Sequence, residues 1–172
     1  MKIYPANKEH FKKLIPFAKR IMSICQDAGA SPVIYGSFAH FYHTKDESIE
    51  VNDLDVIFPK KDLKNLIKIF EKNKIKFTRC SPNDYSVIIK KGKLKVELDD
   101  VGAGNKILNE NTLSKDIFDK IDFYGTEVRM ITLKQLEDIY PIAYNCPGED
   151  KVKIMKKVKH LEKFLGRNLK GF

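Results

Sequence analysis

Phe11, Leu14, Ile15, Ala18, Ile21, Met22 and Cys25 recur three and four residues apart, with mostly polar residues between them. That period puts them on one face of a helix over Lys8 to Asp27, closed by Ala28-Gly29. Pro16 falls inside it and is expected to kink or restart it, because proline removes a backbone donor. Pro32-Val33-Ile34-Tyr35 then predicts a short buried strand running into Gly36-Ser37 and a brief helix, Ser37 to Tyr42. Beyond the polar stretch Thr44 to Glu50, Val51-Asn52-Asp53-Leu54-Asp55-Val56-Ile57-Phe58 predicts a second strand, stopped by Pro59. Leu63, Leu66, Ile67 and Phe70 mark a second amphipathic helix that ends near Asn73.

From there the pattern turns to strands. Ile75 to Arg79, Tyr85 to Lys90 and Lys93 to Asp99 are expected as strands, the last two joined by a tight hairpin at Lys91-Gly92. Gly102-Ala103-Gly104-Asn105 reads as a loop, and the stretch up to Asp119 as irregular or partly helical. Ile121 to Tyr124 and Thr126 to Ile131 form another hairpin, turning at Tyr124-Gly125. Thr132 and Gln135 have capping-box spacing and open a helix to Tyr144, which Asn145-Cys146-Pro147-Gly148 breaks. A final helix over Glu149 to Leu165 carries Val152, Met155, Val158, Leu161 and Leu165 as its buried stripe, with Gly166 as its stop. This order of elements predicts an α/β (α+β) fold, a mixed sheet flanked by helices with a helical C-terminal portion. With 172 residues, 42% of them hydrophobic, the expectation is one domain over 1–172, its core at about 30–131 and its helical part at about 132–168.

Composition changes this picture little. No run of about eighteen apolar residues is present, and MKIYPANKEH lacks the layout of a secretory signal, so a soluble cytoplasmic protein with no membrane partner is expected. Cys25, Cys80 and Cys146 are far apart and form no CxxC, which argues against a disulfide framework or a thiolate zinc site. Lys and Arg number 32 against 23 Asp and Glu, a formal charge of +9 concentrated in Lys60 to Arg79, Lys90 to Lys95 and Lys151 to Lys170. That surface reads equally as one for polyanions and as the solvated faces of a lysine-rich chain. Nothing in the sequence specifies an oligomer.

The chemistry concentrates in three places. Gly36-Ser37 sits where a buried strand meets a helix, and free N–H groups there attract phosphate, which glycine lets approach the main chain. Asp53 and Asp55 point to one strand face by alternation, and Lys95-Val96-Glu97-Leu98-Asp99 offers further acids the same way. A pocket of carboxylates suits Mg²⁺, and two such ions would supply the positive charge that the paired aspartates lack. His40 and His43 are expected as partly exposed helix residues and His10 and His160 as solvated ones, since a carboxylate site has no use for imidazole.

The motifs Tyr35-Gly36-Ser37, Asp53-Leu54-Asp55-Val56 and Val96-Glu97-Leu98 resemble those of the nucleotidyltransferase superfamily with the polymerase-beta-like fold. Small stand-alone bacterial and archaeal members are the most similar, together with the lincosamide and aminoglycoside nucleotidyltransferases. The resemblance implies an enzyme that moves a nucleoside monophosphate from a nucleoside triphosphate such as ATP to the hydroxyl of a small molecule or RNA, with release of pyrophosphate. It implies Gly36 and Ser37 at the nucleotide phosphates, Asp53 and Asp55 on two Mg²⁺ ions, and Glu97 as the third acid, binding one metal and helping to deprotonate the acceptor. Asp99 shares the face of Glu97 and stays an alternative, Glu97 being preferred for its place mid-strand. The segment Phe38 to Asn52 is longer than the usual spacer, and Glu149-Asp150-Lys151 only approximates a basic motif of the last helix, which makes Lys151, or else Lys153, the phosphate-binding candidate. The alternative reading is a catalytically silent nucleotide-binding or partner-binding module of the same fold, for example one half of a toxin-antitoxin pair.

Overall fold

Residues 3–80, 86–100, 108–146 and 150–171 are described by a computed structural model. The first amphipathic period forms α1 (Lys8–Asp27), which buries all seven of the expected apolar residues. Pro16 does not interrupt it. Losing the Pro16 donor costs about 3 kcal/mol, whereas each buried aliphatic or aromatic side chain on that face contributes ~1.5–3 kcal/mol, so packing decides the outcome. The buried run that follows is β1 (Val33–Tyr35), and the chain passes directly into α2 (Gly36–Thr44). Next come β2 (Leu54–Phe58) and α3 (Lys60–Lys72), with Pro59 at the boundary as expected.

The strand expected over Ile75 to Arg79 shrinks to β3 (Thr78–Arg79), two exposed residues at a sheet edge. Its first half is spent leaving α3. Lys74 takes φ +55° and the Ile75 amide donates back to Phe70 O at 2.9 Å, which satisfies a terminal carbonyl of the helix. β4 (Val87–Lys91) and β5 (Leu94–Asp100) form the next hairpin. Because Lys91 pairs with Leu94, the two loop residues are Gly92-Lys93, one place later than expected, and Gly92 alone takes a positive φ. The stretch read as irregular or partly helical holds α4 (Glu110–Leu113), opened by a capping box between Asn109 and Thr112. β6 (Asp119–Asp122) and β7 (Glu127–Met130) turn at Tyr124-Gly125, both with positive φ, the pattern of a type I′ turn. Tyr85, Gly102 to Asn105 and Pro147 to Glu149 lie outside the described residues.

Both halves of the predicted Thr132–Gln135 capping box are made, opening α5 (Leu133–Asn145). The last helix, α6 (Lys151–Leu165), is capped by the Asp150 side chain and ends at Gly166 with φ +65°. Its buried stripe is Ile154, Val158 and Leu161, with Met155 and Leu165 partly buried against the core, whereas Val152 is 82% exposed, so the expected stripe fails at Val152 and misses Ile154. The segment contains two apolar series at helical spacing that share Val158 and Leu161, and only tertiary contact selects between them.

The seven strands form one mixed sheet in the order β3-β4-β5-β2-β1-β7-β6. β2 runs parallel to β5 and antiparallel to β1. Leu54, Val56, Val96 and Leu98 enter the core from one face, where alternation leaves Asp55, Glu97 and Asp99 on the other. α1 and α3 pack against β5, and α2 packs against β1 and β2. The fold is therefore α/β, a multistranded mixed sheet flanked by helices with a helical C-terminal region. Among the described residues no helix is long and apolar enough to cross a membrane.

Candidate active site

Register builds the site. Tyr35 of β1 is the Cα partner of Asp55 in β2, and Asp55 is the partner of Glu97 in β5, so three neighbouring strands carry a row across the sheet. Asp53 enters from the residue just before β2. Oxygens of Asp53, Asp55 and Glu97 all lie within 4.8 Å of one another, each side chain being partly buried. Asp99, two residues beyond Glu97, is engaged elsewhere, accepting the Tyr35 hydroxyl at 2.5 Å. Burial, reinforced by Asp99, pushes that hydroxyl's pKa well above its ordinary value, so it stays a donor.

Gly36 meets this cluster from behind. It has φ +70°, and a Cβ built on it would stand 1.9 Å from Asp55 Oδ2. The strand-to-helix turn thus needs glycine both for its conformation and for room beside the Asp55 carboxylate. At α2 the residue before the helix makes no side-chain cap, which leaves the first-turn N–H groups without that partner. Ser37 in the same turn is buried, and its Oγ accepts from Lys157 Nζ at 2.8 Å. Ser37, Ser48, Asn52, Asp53, Lys153, Lys157 and His160 are among the residues lining a small cavity of about 100 Å³.

Lys95, on the same strand face as Glu97, lies between two of the acids. Its Nζ is 2.5 Å from Asp53 Oδ2 and 2.7 Å from Glu97 Oε1. Burial works against that charge, but the hydrogen bonds and the charges of the two carboxylates outweigh it and raise the lysine's pKa. Asp55 is differently placed. Burial and the neighbouring Asp53 and Glu97 charges lift its carboxyl to about 7, and Lys157 offsets only part of this.

The structure therefore brings Gly36, Ser37, Asp53, Asp55 and Glu97 to one place. Lys151 is elsewhere, its ammonium over the Tyr144 ring at 5.2 Å from the centroid. Two lysines that were not singled out for the site, Lys95 and Lys157, stand in it. Lys95 was legible through strand alternation with Glu97. Lys157 was hidden by the phase of α6, since it flanks the buried Ile154–Val158–Leu161 stripe and not the one expected.

Of the histidines, His40 differs from expectation, whereas His43 is a partly exposed helix residue as expected. His40 is fully buried, its Nδ1 within 2.6 Å of the Tyr140 hydroxyl, and it ties α2 to α5. His43 Nε2 lies 2.8 Å from Ile131 O and His10 Nε2 lies 2.8 Å from Asn52 O. Burial pulls His40 down to about 3, with Lys157, His160 and His43 acting in the same direction and Asp46 against it. The folded protein thus keeps His40 neutral while the unfolded chain protonates it near pH 6.5, so this contribution to stability is complete above that pH and declines toward pH 3. We expect the stability gap between wild type and His40→Gln to shrink by about 2 kcal/mol between pH 8 and pH 5, read from urea unfolding. An unchanged gap contradicts the buried neutral imidazole.

No protein-family model and no curated protein matches the chain. Solved structures do match it in fold. The antibiotic-resistance factor ANT(2'')-Ia aligns over 90% of this chain and 85% of its own, with TM-score 0.60 and 14% identity. An antigenic nucleotidyltransferase-like protein from Paracoccidioides brasiliensis aligns over 92% and 78%, with TM-score 0.56 and 12% identity. The lincosamide antibiotic adenylyltransferase LnuA, solved with lincomycin bound, aligns over 86% and 95%, with TM-score 0.54 and 11% identity. At such identities, what this chain shares with them is the fold.

Proposed function

We propose that this chain, folded as polymerase-beta-like nucleotidyltransferases are, transfers a nucleoside monophosphate from a nucleoside triphosphate, ATP first among them, to an acceptor hydroxyl and releases pyrophosphate. The observation that carries this reading is the approach of Asp53, Asp55 and Glu97 to within 4.8 Å beside the start of α2. Three hard oxygen donors, with a lysine ammonium already between two of them, fit Mg²⁺. Bound there, Mg²⁺, as one ion or two, would neutralise charge on the triphosphate and on the attacking and leaving oxygens.

The chain's own residues then have distinct tasks. Gly36, Ser37 and the first-turn N–H groups of α2 hold and orient the phosphates. Lys157 and Lys153 add positive charge beside Ser37 and are better placed for this than Lys151. Asp53, Asp55 and Glu97 hold the metal, and Glu97 also takes the acceptor proton. Residues 1–172 act as one catalytic unit, in a cytoplasmic setting that supplies ATP and Mg²⁺.

For the acceptor, a small hydroxylated compound is the first reading. ANT(2'')-Ia has been solved with adenylyl-2''-tobramycin and LnuA with lincomycin, and they span much the same length as this chain. A second reading, RNA, is favoured by a groove of about 490 Å³ lined by Lys13, Arg20, Lys74, Lys76, Lys90 and Lys91 and, among the described residues, by no carboxylate. The test offers α-labelled nucleoside triphosphates and Mg²⁺ with aminoglycosides, lincosamides or RNA, and follows label and pyrophosphate. Label is expected on one acceptor class with wild type and on none with Asp53→Asn. Salt-sensitive label on RNA selects the second reading. Nucleotide binding without pyrophosphate release from any mixture identifies a silent module and rejects transfer.

A further inference from the structure

The acid cluster carries its own cation. Lys95 Nζ lies 2.5 Å from Asp53 Oδ2 and 2.7 Å from Glu97 Oε1, both carboxylates belonging to the trio whose oxygens converge within 4.8 Å. A divalent ion on those oxygens would sit at about 2.0–2.1 Å from them, where its charge repels an ammonium held 2.5 and 2.7 Å from the same carboxylates. The lysine is only partly buried, with 28% of its side chain exposed, and it hangs on a four-carbon flexible stem. It is able to leave the acids by rotation of that stem, without movement of β5.

We propose that Lys95 is a displaceable internal counter-ion: it neutralises Asp53 and Glu97 when no divalent cation is bound and must swing out for one to bind. This rests on the metal reading given above and adds a term to it. The lysine lowers the affinity for free metal, because each binding event has to break its two ion pairs. It also couples metal to nucleotide. An arriving triphosphate gives the released ammonium a new anionic partner, so nucleotide favours the displaced position and strengthens metal binding, and metal strengthens nucleotide binding by the same factor.

The test is Mn²⁺ titration without nucleotide, by electron paramagnetic resonance or calorimetry, on wild type, Lys95→Met, Lys95→Arg and Asp53→Asn, each checked for folding by circular dichroism. Lys95→Met should bind Mn²⁺ at least about tenfold more tightly than wild type, the factor expected from removing a competing charge. It should melt lower than wild type in chelator and gain more from Mn²⁺. Lys95→Arg, which keeps the charge, should bind no more tightly than wild type. In wild type itself, Mg²⁺ should increase the reactivity of Lys95 toward amine-labelling reagents, a readout that needs no variant. Equal or weaker Mn²⁺ binding by Lys95→Met, with wild-type binding still lost in Asp53→Asn, overturns the counter-ion and leaves the metal site standing. No Mn²⁺ uptake by wild type or by Lys95→Met overturns both.

Discussion

Asp55→Asn should lose transfer activity by about 10³-fold or more while folding as well as wild type or better. The loss follows from position. Asp55 is the middle member of the row Tyr35–Asp55–Glu97, belongs to the trio proposed to bind metal and borders the space beside Gly36. The gain in stability follows from repulsion. Three carboxylates converge within 4.8 Å, and the direct ion pairs of Lys95 reach Asp53 and Glu97 but not Asp55. A neutral amide of the same shape removes a like charge that Lys157 offsets only in part, worth on the order of 1–3 kcal/mol at neutral pH without metal. Pyrophosphate release and urea unfolding should therefore move in opposite directions. A variant that loses activity and stability together would show that Asp55 is a structural acid.

Among the described glycines, Gly36→Ala should be the most damaging. An alanine at φ +70° costs ~1–2 kcal/mol, and its Cβ would lie 1.9 Å from Asp55 Oδ2, a separation no pair of atoms tolerates. The Asp55 carboxylate must move, and with it the spacing of the trio. We expect transfer to fall by ~10²-fold or more, with a loss of stability beyond the conformational cost. Gly92→Ala is the matched control, since Gly92 has φ +60° with nothing within 4 Å of the added Cβ. It should show the conformational cost and keep its activity. Equal effects at the two glycines would mean that Gly36 serves only the turn.

Most of the site was legible because strand alternation and short buried runs are strong signals. Asp53, Asp55 and Glu97 were separable from their apolar neighbours by alternation, and Gly36 by the meeting of a buried strand with a helix. Glu97 was preferred to Asp99 for its place mid-strand, and register adds that Asp55 pairs with Glu97 while Asp99 accepts the Tyr35 hydroxyl. Where two local readings were equally good, the sequence misled. α6 contains two overlapping apolar series, and a stripe read without Ile154 left Lys157 unnoticed, while the approximate motif Glu149-Asp150-Lys151 drew attention to Lys151. His40 looked like a surface residue because its partner, Tyr140, lies a hundred positions away. Pro16 shows the opposite error, a local rule overridden by the seven buried side chains of α1.

The central claim is that Asp53, Asp55 and Glu97 together hold the metal that serves the nucleotide bound at Gly36-Ser37. Crystals grown with Mn²⁺ and a nonhydrolysable nucleoside triphosphate test it directly through anomalous scattering. The account predicts Mn²⁺ peaks bonded to oxygens of all three carboxylates, with phosphate oxygens against the first turn of α2. Triphosphate bound in another groove, or Mn²⁺ absent from the three acids while nucleotide is present, would contradict it.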